Sequence, residues 1–137
     1  DAKAIIEVRV PAQVDDAAGK TEASTVLEKS DTVAIYGSNE FAAKAIINAN
    51  GSFKESKLGA DKILAVGFDS GALQQDAIRN GLFVGSVTQD PIQIGYQSVK
   101  LAIEAAQGKE VKDVDTGSKW YDAKNIDSDE IKPLLYQ

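Results

Sequence analysis

The sequence predicts an α/β protein, a parallel sheet with helices on both faces. Three observations carry this. Short apolar runs, Thr32–Tyr36, Ile63–Val66 and Leu82–Thr88, read as buried strands. Segments with helical spacing of apolar residues separate them. Alternating strands and helices imply parallel pairing through right-handed crossovers. The 137 residues allow one domain with a sizeable core.

Taken in order, Ala4–Val10 (AIIEVRV) alternates Ile6, Val8 and Val10 against Glu7 and Arg9, a strand that Pro11 ends. Asp15 or Asp16 can cap a helix reaching about Lys29, with Ala18, Val26 and Leu27 as its sparse apolar side. Gly19 inside it costs roughly 1 kcal/mol relative to Ala, and marks either close packing or a later helix start. Thr32–Tyr36 is the second strand, and a helix from about Glu40 to Asn50 places Phe41, Ala45 and Ile46 on one side. Phe53–Asp61 is a polar connection without clear period.

The stretch Lys62–Ser70 (KILAVGFDS) is the centre of the pattern. Its apolar run predicts a strand buried on both faces, stopping at Asp69 before a helix with Leu73, Ala77 and Ile78 on one face. That helix ends at Asn80-Gly81, and Leu82–Thr88 is strand four. Asp90 as N-cap with Pro91 at the first helical position starts a strong helix. Ile92, Tyr96, Val99, Ile103 and Ala106 give it the clearest amphipathic stripe in the chain, and Gly108 ends it. Val111–Asp115 and Ser118–Tyr121 read as edge or crossover strands, and Asp129–Leu135 as a last helical turn.

Composition excludes several functions. The net charge of -6, with no basic run, argues against a nucleic-acid surface. With no cysteine and no histidine there is no disulfide, no thiolate chemistry, and neither the commonest general base nor the commonest transition-metal ligand. Without a base, no serine is activated for acyl transfer, so no enzyme is predicted. No apolar stretch approaches the roughly 18 residues that span a bilayer, so no direct membrane insertion is expected. No phosphate loop or other cofactor motif is present. Methionine is absent even at position 1, so the chain is expected to begin inside a longer product.

Three strand ends each carry one polar residue just past the apolar run: Asn39, Asp69 and Gln89. Parallel strands bring those ends to one edge, where open α/β sheets bind ligands. An amide, a carboxylate and an amide suit a neutral polyhydroxylated ligand, because a carboxylate accepts hydroxyl protons and an amide both donates and accepts. They do not suit phosphate. Asn and Asp are also favoured by caps and turns, and structural duty stands beside the ligand reading for each. A metal site joining Asp15 and Asp16 to Asp69 is disfavoured, and Phe41 and Phe68 are read as core.

Several stretches together resemble the C-terminal half of ribose-type periplasmic sugar-binding proteins, the type I solute receptors of ABC transporters. They are Pro11-Ala12 with Asp15 and Gly19, Tyr36–Glu40 (YGSNE), Val66–Ser70 (VGFDS) and Ser86–Tyr96 (SVTQDPIQIGY). Asp115-Thr116-Gly117 and Asn125 resemble the family's tail. The resemblance covers nearly all of the chain. It implies a flavodoxin-like lobe over 1–89, and over 90–137 a crossover helix and tail that pack on an N-terminal lobe lying outside this chain. It implies that Asn39, Asp69 and Gln89 hydrogen-bond sugar hydroxyls, with Gln89 at a hinge. It implies two lobes closing around a small sugar, docking on an ABC permease, and an extracytoplasmic location, in the periplasm or as a lipoprotein. In place of the absent lobe, a second copy could cover the chain. Val14 stands where ribose binders carry a stacking aromatic and Asp16 where they often carry a basic residue, so ribose itself is not expected. The fold is shared with lactose-repressor-like effector domains, and a regulator is the alternative reading. A flavodoxin-like enzyme fares worst.

Overall fold

A computed structural model describes residues 5–136. Its elements run α1 (Asp16–Leu27), β1 (Ala34–Tyr36), α2 (Glu40–Asn50), β2 (Leu64–Phe68), α3 (Ala72–Arg79), β3 (Phe83–Gln89), α4 (Pro91–Ala106), β4 (Ser118–Tyr121) and a 3-10 turn at Lys132–Leu134. The sheet order is β1-β2-β3-β4. The first three strands are parallel and β4 returns antiparallel to β3. This is the α/β class, with a mostly parallel sheet.

Helix starts follow their capping residues. Asp15 caps α1 by accepting from the Ala18 amide at 2.8 Å, and Asp90 caps α4 by accepting from Gln93, with Pro91 next. Gly19 marks close packing rather than a helix start. A Cβ there would lie 2.8 Å from Phe41 Cζ and 3.2 Å from Ala45 Cβ, so the glycine lets α1 sit against α2.

The core lies on one face of the sheet. Ala65 of β2 and Phe83 of β3 meet Ala43, Ile46 and Ala49 of α2 and Ala77 and Ile78 of α3. Leu27, Tyr121, Ile126 and Ile131 close it. Here the expectation of a β2 buried on both faces is corrected. Ala65 and Gly67 are buried, whereas Leu64 is exposed and Val66 and Phe68 are half-buried. Both parallel connections, α2 and α3, cover the buried side. On the other side Tyr36, Leu64, Val84 and Trp120 are 40–57% exposed.

Three local readings also change. Ile5–Val10 forms no strand: it lies along α1, tied by Arg9 to Glu22 and by Lys29 to Glu7, with Ile6, Val8 and Val10 exposed. Alternation signals a strand, but a strand exists only with a ladder partner, and among the described residues none lies beside it. Ala4, the first residue of that expected strand, is outside the described residues. In α3 the buried face is Gln74, Ala77 and Ile78, and Leu73 faces solvent. Val111–Asp115 is irregular, and of the two expected edge strands only Ser118–Tyr121 forms.

The polar connection after α2 is organised by one buried side chain. Asn50 Oδ1 accepts from the Lys57 and Leu58 amides, and Asn50 Nδ2 donates to Ser56 Oγ. This drops Leu58 into the core beside Ile63.

Candidate functional site

Because β1, β2 and β3 are parallel, Asn39, Asp69 and Gln89 arrive at one sheet edge. The structure joins two of them directly: Gln89 Nε2 donates to Asp69 Oδ1 at 3.1 Å. The other carboxylate oxygen, Asp69 Oδ2, accepts from the Glu40 backbone amide at 3.0 Å. Glu40 is the first residue of α2, so the carboxylate sits at the positive end of that helix. Asn39, one residue earlier, is the N-cap of α2, and its Oδ1 accepts from the Ala42 amide at 2.9 Å. Asn39 therefore has a structural duty through its oxygen, and the residue is exposed.

Asp69 does not cap its own following helix. The N-cap of α3 is Gly71, which has no side chain to bond. Gly71 packs under the Glu40 side chain, whose Oε1 would lie 2.5 Å from a Cβ there and would have to turn aside. Asp69 alone among the described non-glycine residues has a left-handed backbone, with φ +77. Its amide donates to the Val87 carbonyl at 2.7 Å. Its carbonyl accepts from Tyr121 Oη at 2.8 Å, Ser86 Oγ at 2.9 Å and Gln74 Nε2 at 3.3 Å.

Sequence reasoning did not single out Gln74, Ser86, Thr88 or Tyr121. Only the step from Ser86 to Thr88 keeps a period of two; the register shift opposite Ala65 and Val66 puts Phe83 out of step with them, so alternation along β3 does not reveal them. Thr88 Oγ1 donates to Ser70 Oγ, and Ser70 Oγ donates to the Leu134 carbonyl, so the tail is fastened beside the β2 and β3 ends. Gln75 Nε2 reinforces this by donating to the Ser70 and Tyr136 carbonyls. Burial pushes the Tyr121 hydroxyl up to about 12. Burial likewise raises the Tyr136 hydroxyl above its ordinary range.

A carboxylate offers about four acceptor directions. Two are used here, by Gln89 and the Glu40 amide, and two remain for donors from outside the lobe. Val14 is exposed just before α1 and offers no aromatic face. Among the described residues no three acidic, His or Cys side chains cluster closely enough to hold a metal ion. No helix among them is long and apolar enough to cross a membrane.

The amphipathic helix α4 starts just past Gln89 and leads away from this edge. None of its residues is buried, and Ile92, Tyr96, Val99 and Ile103 are exposed along one stripe. Tyr96, Val99 and Ile103, with Gly95 and the stem of Lys100, line an open apolar groove of about 700 Å³.

The layered sheet and its polar edge are those of an open α/β lobe. A family model described as a periplasmic binding protein domain matches residues 3–110, and the chain belongs to that family of binding proteins. Solved structures agree. A Brachyspira murdochii protein described as an ABC transporter, LacI family transcriptional regulator, is 41% identical with TM-score 0.80, over 93% of this chain and 42% of its own. An ABC transporter solute binding protein from Agrobacterium vitis, with bound D-fucose, is 27% identical with TM-score 0.78, over 90% of this chain and 42% of its own. A carbohydrate transporter solute binding protein from Agrobacterium radiobacter, in complex with D-arabinose, is 26% identical with TM-score 0.76, over 88% and 40%. The chain thus spans about two fifths of the length of these solved relatives. No curated protein matches the sequence.

Proposed function

We propose that this chain is one lobe of a sugar receptor that delivers its ligand to an ABC importer from outside the cytoplasm. The observation that carries the reading is Asp69, a strand-end carboxylate with two acceptor directions left open, in a family whose similar solved members hold D-fucose and D-arabinose. Asp69 is the main ligand group, Gln89 orients it and contacts the sugar near the hinge, and the Asn39 amide donates to a further hydroxyl. Residues 1–89 form the C-terminal-type lobe. Beyond residue 89 the chain crosses over: α4 lays its apolar stripe on a second lobe supplied by the rest of the protein, while β4, Ile126 and Ile131 return to the core of the first. That remainder also supplies the ladder partner of Ile5–Val10. Closure of the two lobes on the sugar then presents the surface that docks on the permease.

The test is a thermal-shift screen of the full-length protein against pentoses and hexoses. A sugar other than ribose is expected as the strongest stabiliser, because Val14 offers no stacking ring. Ribose as the strongest ligand overturns the inference from Val14, and no stabilisation by any sugar overturns the receptor reading.

One observation favours a second reading, the effector domain of a lactose-repressor-like regulator: the description of the Brachyspira relative includes that class. A helix-turn-helix encoded upstream would decide for it, and an export signal or lipoprotein anchor against it.

A further inference from the structure

Asp69 holds a left-handed backbone that non-glycine residues rarely adopt, and such strain persists only where surroundings over-determine it. The determinants are visible. Tyr121 Oη, Ser86 Oγ and Gln74 Nε2 all aim at one atom, the Asp69 carbonyl oxygen. All three side chains are fully buried and come from three different elements, β4, β3 and α3. Gln74 Nε2 also holds the preceding carbonyl, Phe68, at 2.7 Å. Its own Oε1 is buried without a partner, so the fold tolerates an unsatisfied acceptor to keep that donor in place.

We propose that Tyr121, Ser86 and Gln74 are positioning residues, pinning the Asp69 peptide so that its carboxylate stays on the α2 N-terminus at the strand edge. If the peptide rotated toward ordinary strand angles, the carboxylate would swing away from the Glu40 amide and from Gln89. The antiparallel strand β4, remote in sequence, thereby governs the geometry of the ligand edge. The proposal deepens the sugar-receptor reading and takes its functional meaning from it.

The experiment needs no sugar, so failure of the receptor reading and failure of this one remain distinguishable. In ligand-free full-length protein, amide exchange of Glu40 is compared with that of Ala43, whose amide donates to the Asn39 carbonyl at 3.0 Å within the same helix. Tyr121→Phe keeps the ring and removes the donor. Glu40 exchange should accelerate about tenfold, as for a lost hydrogen bond of ~1.4 kcal/mol, while Ala43 stays within about twofold. The Asp69 HN–Hα coupling should shift away from its left-handed value. Equal acceleration at Glu40 and Ala43 means general loosening and overturns the proposal, as does an unchanged Glu40. Should Tyr121→Phe fail to fold, Ser86→Ala removes the second donor and must give the same contrast.

Discussion

Gln89 and Asp69 meet across neighbouring parallel strands, amide to carboxylate, at 3.1 Å. The pair is one residue from the first turn of α4, so the strand that positions Asp69 is the one that leads out of the lobe. A movement at Gln89 is felt at Asp69 through one bond. Asp69→Ala in the full-length protein should weaken sugar binding by at least about a hundredfold, since it removes charge-assisted bonds worth roughly 1.5–3 kcal/mol each. Gln89→Ala, which leaves the carboxylate in place, should cost less, about tenfold. Titration calorimetry ranks the two, and an Asp69→Ala protein with unchanged affinity removes Asp69 from the site.

Asn39 carries two roles that one substitution separates. Its oxygen caps α2, and its nitrogen is the donor proposed for a sugar hydroxyl. Asn39→Ala should lower stability by about 1 kcal/mol as a lost cap, in addition to weakening binding. Asn39→Asp keeps an oxygen for the Ala42 amide but loses the donor. Its melting temperature should hold while its affinity falls. Affinity preserved in Asn39→Asp would leave Asn39 as a cap alone.

Gly85 lies under β4. A Cβ there would stand 2.2 Å from Trp120 Cζ2 and 2.6 Å from the Tyr121 carbonyl oxygen. The ring could turn aside, but the carbonyl belongs to the β3–β4 ladder and cannot. Gly85→Ala should destabilise by roughly 1–3 kcal/mol, read from the urea midpoint, as overpacking does.

Alkaline stability should report Tyr121. Its hydroxyl titrates near 12 in the folded protein against about 10 when exposed, because ionisation in the core is opposed by burial. The contribution is fully present below pH 10 and is lost as pH climbs from 10 through 12, on the order of 2–3 kcal/mol. Tyr136 adds in the same direction. Urea midpoints measured between pH 9 and 12 should fall more steeply for the native chain than for Tyr121→Phe. Parallel slopes would mean that Tyr121 ionises without resistance.

Much of this arrangement is legible in the residues. Asp90-Pro91 and Asn39-Glu40 announce helix starts because capping is local chemistry, and both starts stand where expected. The polar strand ends are legible because parallel pairing brings them to one edge. What sets Asp69 was not, since Tyr121 lies 52 positions away and its bond depends on β4 returning antiparallel. The strand expected over Ile5–Val10 is absent for a related reason. Alternation encodes what a segment does beside a partner, and the partner is not in the described residues. Leu73 and Gln74 show the reverse: hydrophobicity points to Leu73, yet carbonyls needing a donor draw Gln74 inward.

The order β1-β2-β3-β4 has a kinetic consequence. Each parallel pair forms between consecutive strands joined by a single helix, so loop closures are short and assembly can proceed in chain order as the polypeptide emerges. β4 is the exception, docking only after α4 and the irregular stretch behind it have been made. Because Tyr121 arrives with β4, the Asp69 edge should be the last part of the lobe to gain protection during refolding. Pulse-labelled hydrogen exchange should find the amides of β2 protected before that of Glu40, and the opposite order would mean that the edge forms without its β4 tether.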